Sequence, residues 1–145
     1  MVSRVAENRR ILANLRETLE HQLSRSSSAL DATRRAINEL DIRLQALEAT
    51  SLRILTAFDG GGDIGAEPSM LKLKGSELVQ AQDEVLFTMI DYLALPLDTA
   101  TGGAAVTPEW AEYIASGRYH HRGFTIAGGS SEVQHNIIAK QVLGL

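Results

Sequence analysis

Between Leu30 and Phe58, the residues Ile37, Leu40, Leu44, Leu47, Ile54 and Leu55 recur at intervals of three and four. That spacing stacks apolar side chains on one face of an α-helix. It cannot line one face of a strand, where neighbours on a face are two residues apart. The other side carries Arg34, Arg35, Asn38, Asp41, Arg43 and Gln45, so the run reads as a long bundle helix with one dry and one wet face. Ser51 falls within the dry face, where a small polar residue admits a close neighbour.

The same pattern places other helices around it. Residues 2 to 23 read as a first helix, with Val5, Leu12, Leu15 and Leu19 on one face, Ile11 beside them and Asn8 interrupting. Ser24 to Ser28 breaks that pattern and offers several N-cap hydroxyls. Asp59 to Pro68, "DGGGDIGAEP", holds four glycines and a proline, which are costly inside a helix. A phosphate cradle at "GGG" would call for a preceding strand and a following Lys-Ser/Thr pair; neither is there, so the segment reads as a linker. A third helix is expected from Ser69 to Ala94. Its apolar residues wrap most of the way round after Val85, which implies burial on several sides, in a bundle centre or at a subunit contact. On that ground the chain is expected not to be a monomer. Met70 and Met89 read as core fillers. Leu95 to Pro108 is a loop, and Thr107 to Trp110 ("TPEW") is a helix start, for a short helix that ends by Gly117. The expectation is all-α: an up-down four-helix bundle with an additional short C-terminal helix, as one domain over residues 1–145.

Composition narrows the function classes. The net charge of −4 gives no general attraction for nucleic acid or acidic membranes. Without cysteine there is no disulfide, thiolate metal site or cysteine nucleophile. No apolar run approaches the roughly 18–20 residues that cross a bilayer. The first ten residues lack the apolar core of a secretory signal, so a cytoplasmic location is expected. His120 and His121 are adjacent, and on a helix they point about 100° apart. They read as surface or hydrogen-bonding residues rather than a metal pair, and no metal site is expected.

The closing stretch, "TIAGGSSEVQHNIIAKQVLGL" (Thr125 to Leu145), places two glycines and two serines before a helix. Ser131 has Gln134 three residues on, the spacing of a capping box. Val133, Ile137, Ile138 and Leu143 supply an apolar side. The glycines let a ligand approach the backbone, and the helix N-terminus favours an anion such as phosphate. Most capped helices bind nothing, so the motif alone supports a helix start first and a ligand second.

This stretch resembles the C-terminal signature of acyl-CoA dehydrogenases, over about 20 consecutive residues with small substitutions. "SMLKLKGSEL" (Ser69 to Leu78) and "ELDIRLQALEATSLRIL" (Glu39 to Leu55) resemble two helices of the same family's C-terminal bundle, in the same order. "EATSLRIL", "GGSSEVQHNIIAK" and "VLGL" look most like the large subunits of the pimeloyl-CoA dehydrogenase group, which suggests a dicarboxylyl substrate. The resemblance implies part of an FAD-dependent enzyme that oxidises an acyl-CoA thioester to the 2,3-enoyl-CoA. The family's N-terminal helical domain and middle β domain have no counterpart here, so a fragment, truncated product or split subunit is expected, inactive alone.

The resemblance further implies that Ser130, Ser131, Glu132 and Gln134 contact FAD and that Gly129 lies near the substrate thioester. The position of the catalytic glutamate in many members is Gly128 here, which cannot act as a base, so the base is unassigned. Other branches carry that carboxylate near the start of the bundle's first helix, where Glu7 is the nearest acid; a first-helix glutamate is ordinarily a solvated residue. Glu132 is explained by the helix dipole. A glycine pair at the end of the third helix and an Arg-aromatic turn after the first, both flavin contacts in the family, are replaced by Thr88 to Leu95 and by "SRSSS". A homo-oligomer, or a hetero-oligomer with another subunit of the family, follows as the expected assembly. The alternative is a catalytically inactive helical assembly module or accessory subunit.

Overall fold

The computed structural model describes residues 4–21, 27–90 and 112–144. They form five α-helices, with no strand among them: α1 (Val5–His21), α2 (Ser27–Asp59), α3 (Glu67–Ile90), α4 (Glu112–Arg122) and α5 (Ser131–Leu143). A single 3-10 turn (Gly123–Thr125) lies between α4 and α5. Most of Ser24 to Ser28, the last turn expected for the third helix, the Leu95 to Pro108 loop and the "TPEW" helix start lie outside the described residues.

The apolar stripes assemble one core. Leu12, Leu15 and Leu19 of α1, Ile37, Leu40, Leu44 and Leu47 of α2, and Leu71, Leu78, Leu86, Met89 and Ile90 of α3 are buried together with Ile114 of α4. Each such side chain contributes roughly 1.5–3 kcal/mol relative to exposure. α1 and α2 run antiparallel, as ion pairs Arg9–Glu48 and Arg16–Asp41 show by pairing early with late residues. α3 is the central element and touches α1, α2, α4 and α5. Over the described residues its apolar side chains face several neighbours inside the chain, as a helix at a bundle centre does.

Asn8 does not merely interrupt the α1 stripe. It is wholly buried, and its amide donates to Arg4 O at 2.9 Å and to Gly75 O of α3 at 3.2 Å. Gln82 of α3 returns the contact, donating to Asn8 O at 3.1 Å. These bonds satisfy the amide N–H groups, whereas Asn8 Oδ1 and Gln82 Oε1 are buried without a hydrogen-bond partner among the described residues.

Three boundaries differ from expectation. α2 begins three residues earlier than Leu30. The glycine-rich linker is shorter, because α3 starts at Glu67 and takes Pro68 into its first turn, where the missing N–H costs nothing. α4 does not end at Gly117 but continues to Arg122. Tertiary contacts of Arg118, His121 and Arg122 with α3 outweigh the propensity cost of about 1 kcal/mol for an internal glycine.

Candidate functional site

A polar stripe on α3 builds the site. Lys72, Ser76, Gln80 and Asp83 recur one turn apart, and each meets the segment running from α4 into the loop. Lys72 Nζ donates to Thr125 O at 3.3 Å, Ser76 Oγ to Phe124 O at 3.2 Å and Gln80 Nε2 to His121 O at 3.3 Å. Side chains of α3 thus supply donors to carbonyls at the end of α4 and in the 3-10 turn. Arg4, just ahead of α1, lies over the Phe124 ring, 3.4 Å from its centroid. Burial, and then the nearby Arg4, hold the Lys72 ammonium below the ordinary lysine range.

Anchored so, the chain turns through Ile126 to Gly129 into α5. Gly128 and Gly129 have φ of +75° and +94°, backbone that side chains other than glycine rarely adopt. Both are exposed. Ser130 is extended, and its hydroxyl accepts the Val133 N–H at 3.4 Å. Ser130 is thus the N-cap, which corrects the expectation that Ser131 caps α5. Ser131 is the first helical residue, and its hydroxyl donates back to Thr125 O at 3.4 Å.

The capping-box role expected of Gln134 is corrected as well. Its amide donates to Gly128 O at 3.2 Å, across the left-handed glycines, and it is the buried residue of α5. Of the apolar side expected to seat α5, Ile137 and Ile138 are half-buried, whereas Val133 is 48 % and Leu143 67 % exposed. Glu132 is exposed in the first turn. Its own backbone N–H, then the Ser130 hydroxyl, hold its carboxyl below the usual range.

The structure therefore brings Gly128, Gly129, Ser130, Ser131, Glu132 and Gln134 together at one helix N-terminus. Their fit to the FAD that the resemblance implies is partial. The bare glycine backbone is open to a planar or anionic group. The Ser130 hydroxyl and Gln134 amide are already engaged, and the Glu132 carboxylate occupies the positive end of α5.

Glu7 stands elsewhere, in a polar cluster that local sequence did not reveal. His121 is buried, with Nδ1 3.0 and 2.8 Å from the two carboxylate oxygens of Asp83. Its Nε2 lies 3.3 Å from Glu7 Oε1, and Arg10 donates to the same Glu7 oxygen at 2.6 Å. Arg118 donates to both oxygens of Glu84 at 3.1 Å and stacks over Phe87, and Arg122 also pairs with Glu84. His120 is exposed, as two adjacent helical positions require when one faces inward. Among the described residues no group of three His, Cys, Asp or Glu side chains has the geometry to hold a metal ion.

Among the described residues, no helix is long and apolar enough to cross a membrane. Comparison of the chain with protein families, curated proteins and solved structures returns no match.

Proposed function

We propose that this chain is the C-terminal helical bundle of an FAD-dependent acyl-CoA dehydrogenase, or a truncated subunit of one, contributing the flavin-edge loop and an assembly surface. The observation that carries the reading is the pair of left-handed, exposed glycines set directly ahead of the Ser130 cap. Such a turn presents backbone N–H groups and a helix dipole to a ligand without side chains in the way. In this reading Ser130, Ser131, Glu132 and Gln134 border the adenosine and pyrophosphate part of FAD, and Gly129 borders the acyl-CoA thioester. The flavin, when bound, supplies the hydride acceptor. The residues of this chain orient it and exclude water, and the base that takes the substrate proton is not among those around Gly128. An up-down four-helix bundle with α5 as the extra short helix is the corresponding architecture.

A second reading is a catalytically inactive assembly module or accessory subunit. The engaged Ser130 and Gln134 favour it. So do the apolar residues left outside the core: Ile42, Leu52, Leu55 and Phe58 on α2, with Ile126, Val133, Val142 and Leu143 near α5. A homo-oligomer or a hetero-oligomer would cover these.

Titration of the purified chain with FAD, read by flavin fluorescence with ADP as competitor, separates the two. Saturable quenching reversed by ADP, and lost on Gly129→Val, is expected for a flavin-edge loop. Absence of quenching from the chain, alone and with an acyl-CoA dehydrogenase subunit added, overturns the flavin reading and leaves the assembly module.

A further inference from the structure

His121 sits where three helices meet. Its buried ring joins α4 to Asp83 of α3 through Nδ1 and faces Glu7 of α1 through Nε2. Carboxylates only accept, so Nδ1 donates to Asp83 when it carries a proton, and the Nε2–Glu7 contact at 3.3 Å is an ion pair when the ring carries both protons. We propose that His121 is a proton-operated latch: charged, it ties α4 to α1 and α3 together; neutral, it keeps Asp83 and releases Glu7.

The asymmetry between the two carboxylates decides which contact breaks. Asp83 is buried and receives Nδ1 on both oxygens, so losing the ring would strand a buried charge. Glu7 is about one-third exposed and keeps Arg10 as an alternative partner. A neutral ring with its proton on Nδ1 would turn a lone pair toward the Glu7 carboxylate at 3.3 Å, and that contact becomes repulsive.

The other charges around the ring are already engaged. From α1 these are Glu7 and Arg10, paired with each other. From α3, Glu84 beside Asp83 is held by Arg118 and Arg122 of α4. His120 and Phe124 flank the ring at 5.8 and 4.9 Å between centroids. Glu7, Asp83 and His121 also border a cleft of about 530 Å³ whose other walls include Ile11, Asn14 and Ile114. The latch is independent of the proposed cofactor.

The test is amide hydrogen exchange of α4 across about pH 5 to 8, corrected for intrinsic rates, with the His121 ring followed by NMR. Protection of α4 in the wild type is expected to fall by about tenfold as the ring loses its proton. In Glu7→Gln that step is expected to vanish, because an amide can donate to or accept from Nε2; the position is exposed enough for the variant to fold. His121→Gln should be flat across the series. An unchanged α4 protection in the wild type, a ring that does not titrate in the range, or a full step persisting in Glu7→Gln would each overturn the latch.

Discussion

Replacing Gly129 by alanine tests the loop more sharply than any other single change. Gly129 has φ of +94°, and an added Cβ would lie 2.5 Å from Gln134 Nε2. Left-handed backbone costs an alanine roughly 1–2 kcal/mol. The obstructing atom is the far end of a flexible side chain, so the amide can move. In moving it forfeits its hydrogen bond to Gly128 O, worth about 1 kcal/mol. The sum is a loss of about 2–3 kcal/mol, a shift of about 1 M in a urea midpoint. Gly128→Ala is the internal control: its φ is +75° with nothing within 4 Å of a Cβ, so it carries backbone strain alone, roughly 1–2 kcal/mol. The excess for Gly129 should disappear on a Gln134→Ala background, with a coupling energy of about 1 kcal/mol in the double-mutant cycle. Equal costs for the two glycines, or zero coupling, would refute the placement of Gln134 across the turn.

Three further outcomes are expected. Ser130→Ala should cost about 1 kcal/mol in denaturant melts and Ser131→Ala a few tenths, because only the first hydroxyl accepts a first-turn N–H; the reverse order would overturn the cap assignment. Leu15→Ala, at a wholly buried site, should cost about 2–5 kcal/mol, whereas Leu52→Ala, 65 % exposed, should stay within about 0.5 kcal/mol. A larger, concentration-dependent loss at Leu52 would instead place α2 in a subunit interface. On acidification, Arg10 and His121 hold the Glu7 carboxyl lower when folded than when unfolded, so its stabilisation is present above the unfolded value of about 4.3 and is lost as pH falls through the lowered one. Asp83, raised by burial, has the opposite sign: its contribution is lost as pH rises through its folded value. Glu7→Gln should therefore flatten the acid limb of a melting-temperature profile, and an unchanged limb would count against the Glu7 pairing.

Sequence periodicity located α1, α2 and α3 because the signal for a buried helix face is local. Ile37, Leu40, Leu44 and Leu47 announce their face wherever they pack. The same logic served α5 only in part: Ile137 and Ile138 are half-buried, but Val133 and Leu143 are exposed while polar Gln134 is buried, and a short helix lying on one neighbour is placed by the loop before it. The choice between Ser130 and Ser131 could not be read either. Both are hydroxyls at compatible spacing, and the left-handed turn at Gly128 and Gly129 decides which one lies at the cap. Gly117 looked like a stop because the contacts that carry α4 past it lie on α3, more than 30 residues earlier.

The polar stripe of α3 explains why the loop sits where it does. Lys72, Ser76, Gln80 and Asp83 were visible at helical spacing, but three of their partners are backbone oxygens, which leave no mark on a sequence. An apolar replacement of that stripe could hold α4 as firmly, since buried polar groups return little net energy against a well-packed alternative. It could not hold α4 in one register. Sliding the segment by one turn would leave Lys72 without Thr125 O, Ser76 without Phe124 O and Asp83 without the His121 ring, each a buried or half-buried group stripped of its partner. A purely apolar contact has no such penalty against a slip. The stripe fixes where α4 ends, and so where Gly128 and Gly129 emerge. The position of the glycine turn, and with it any ligand edge at the head of α5, is thus set by α3 rather than by the packing of α5 itself.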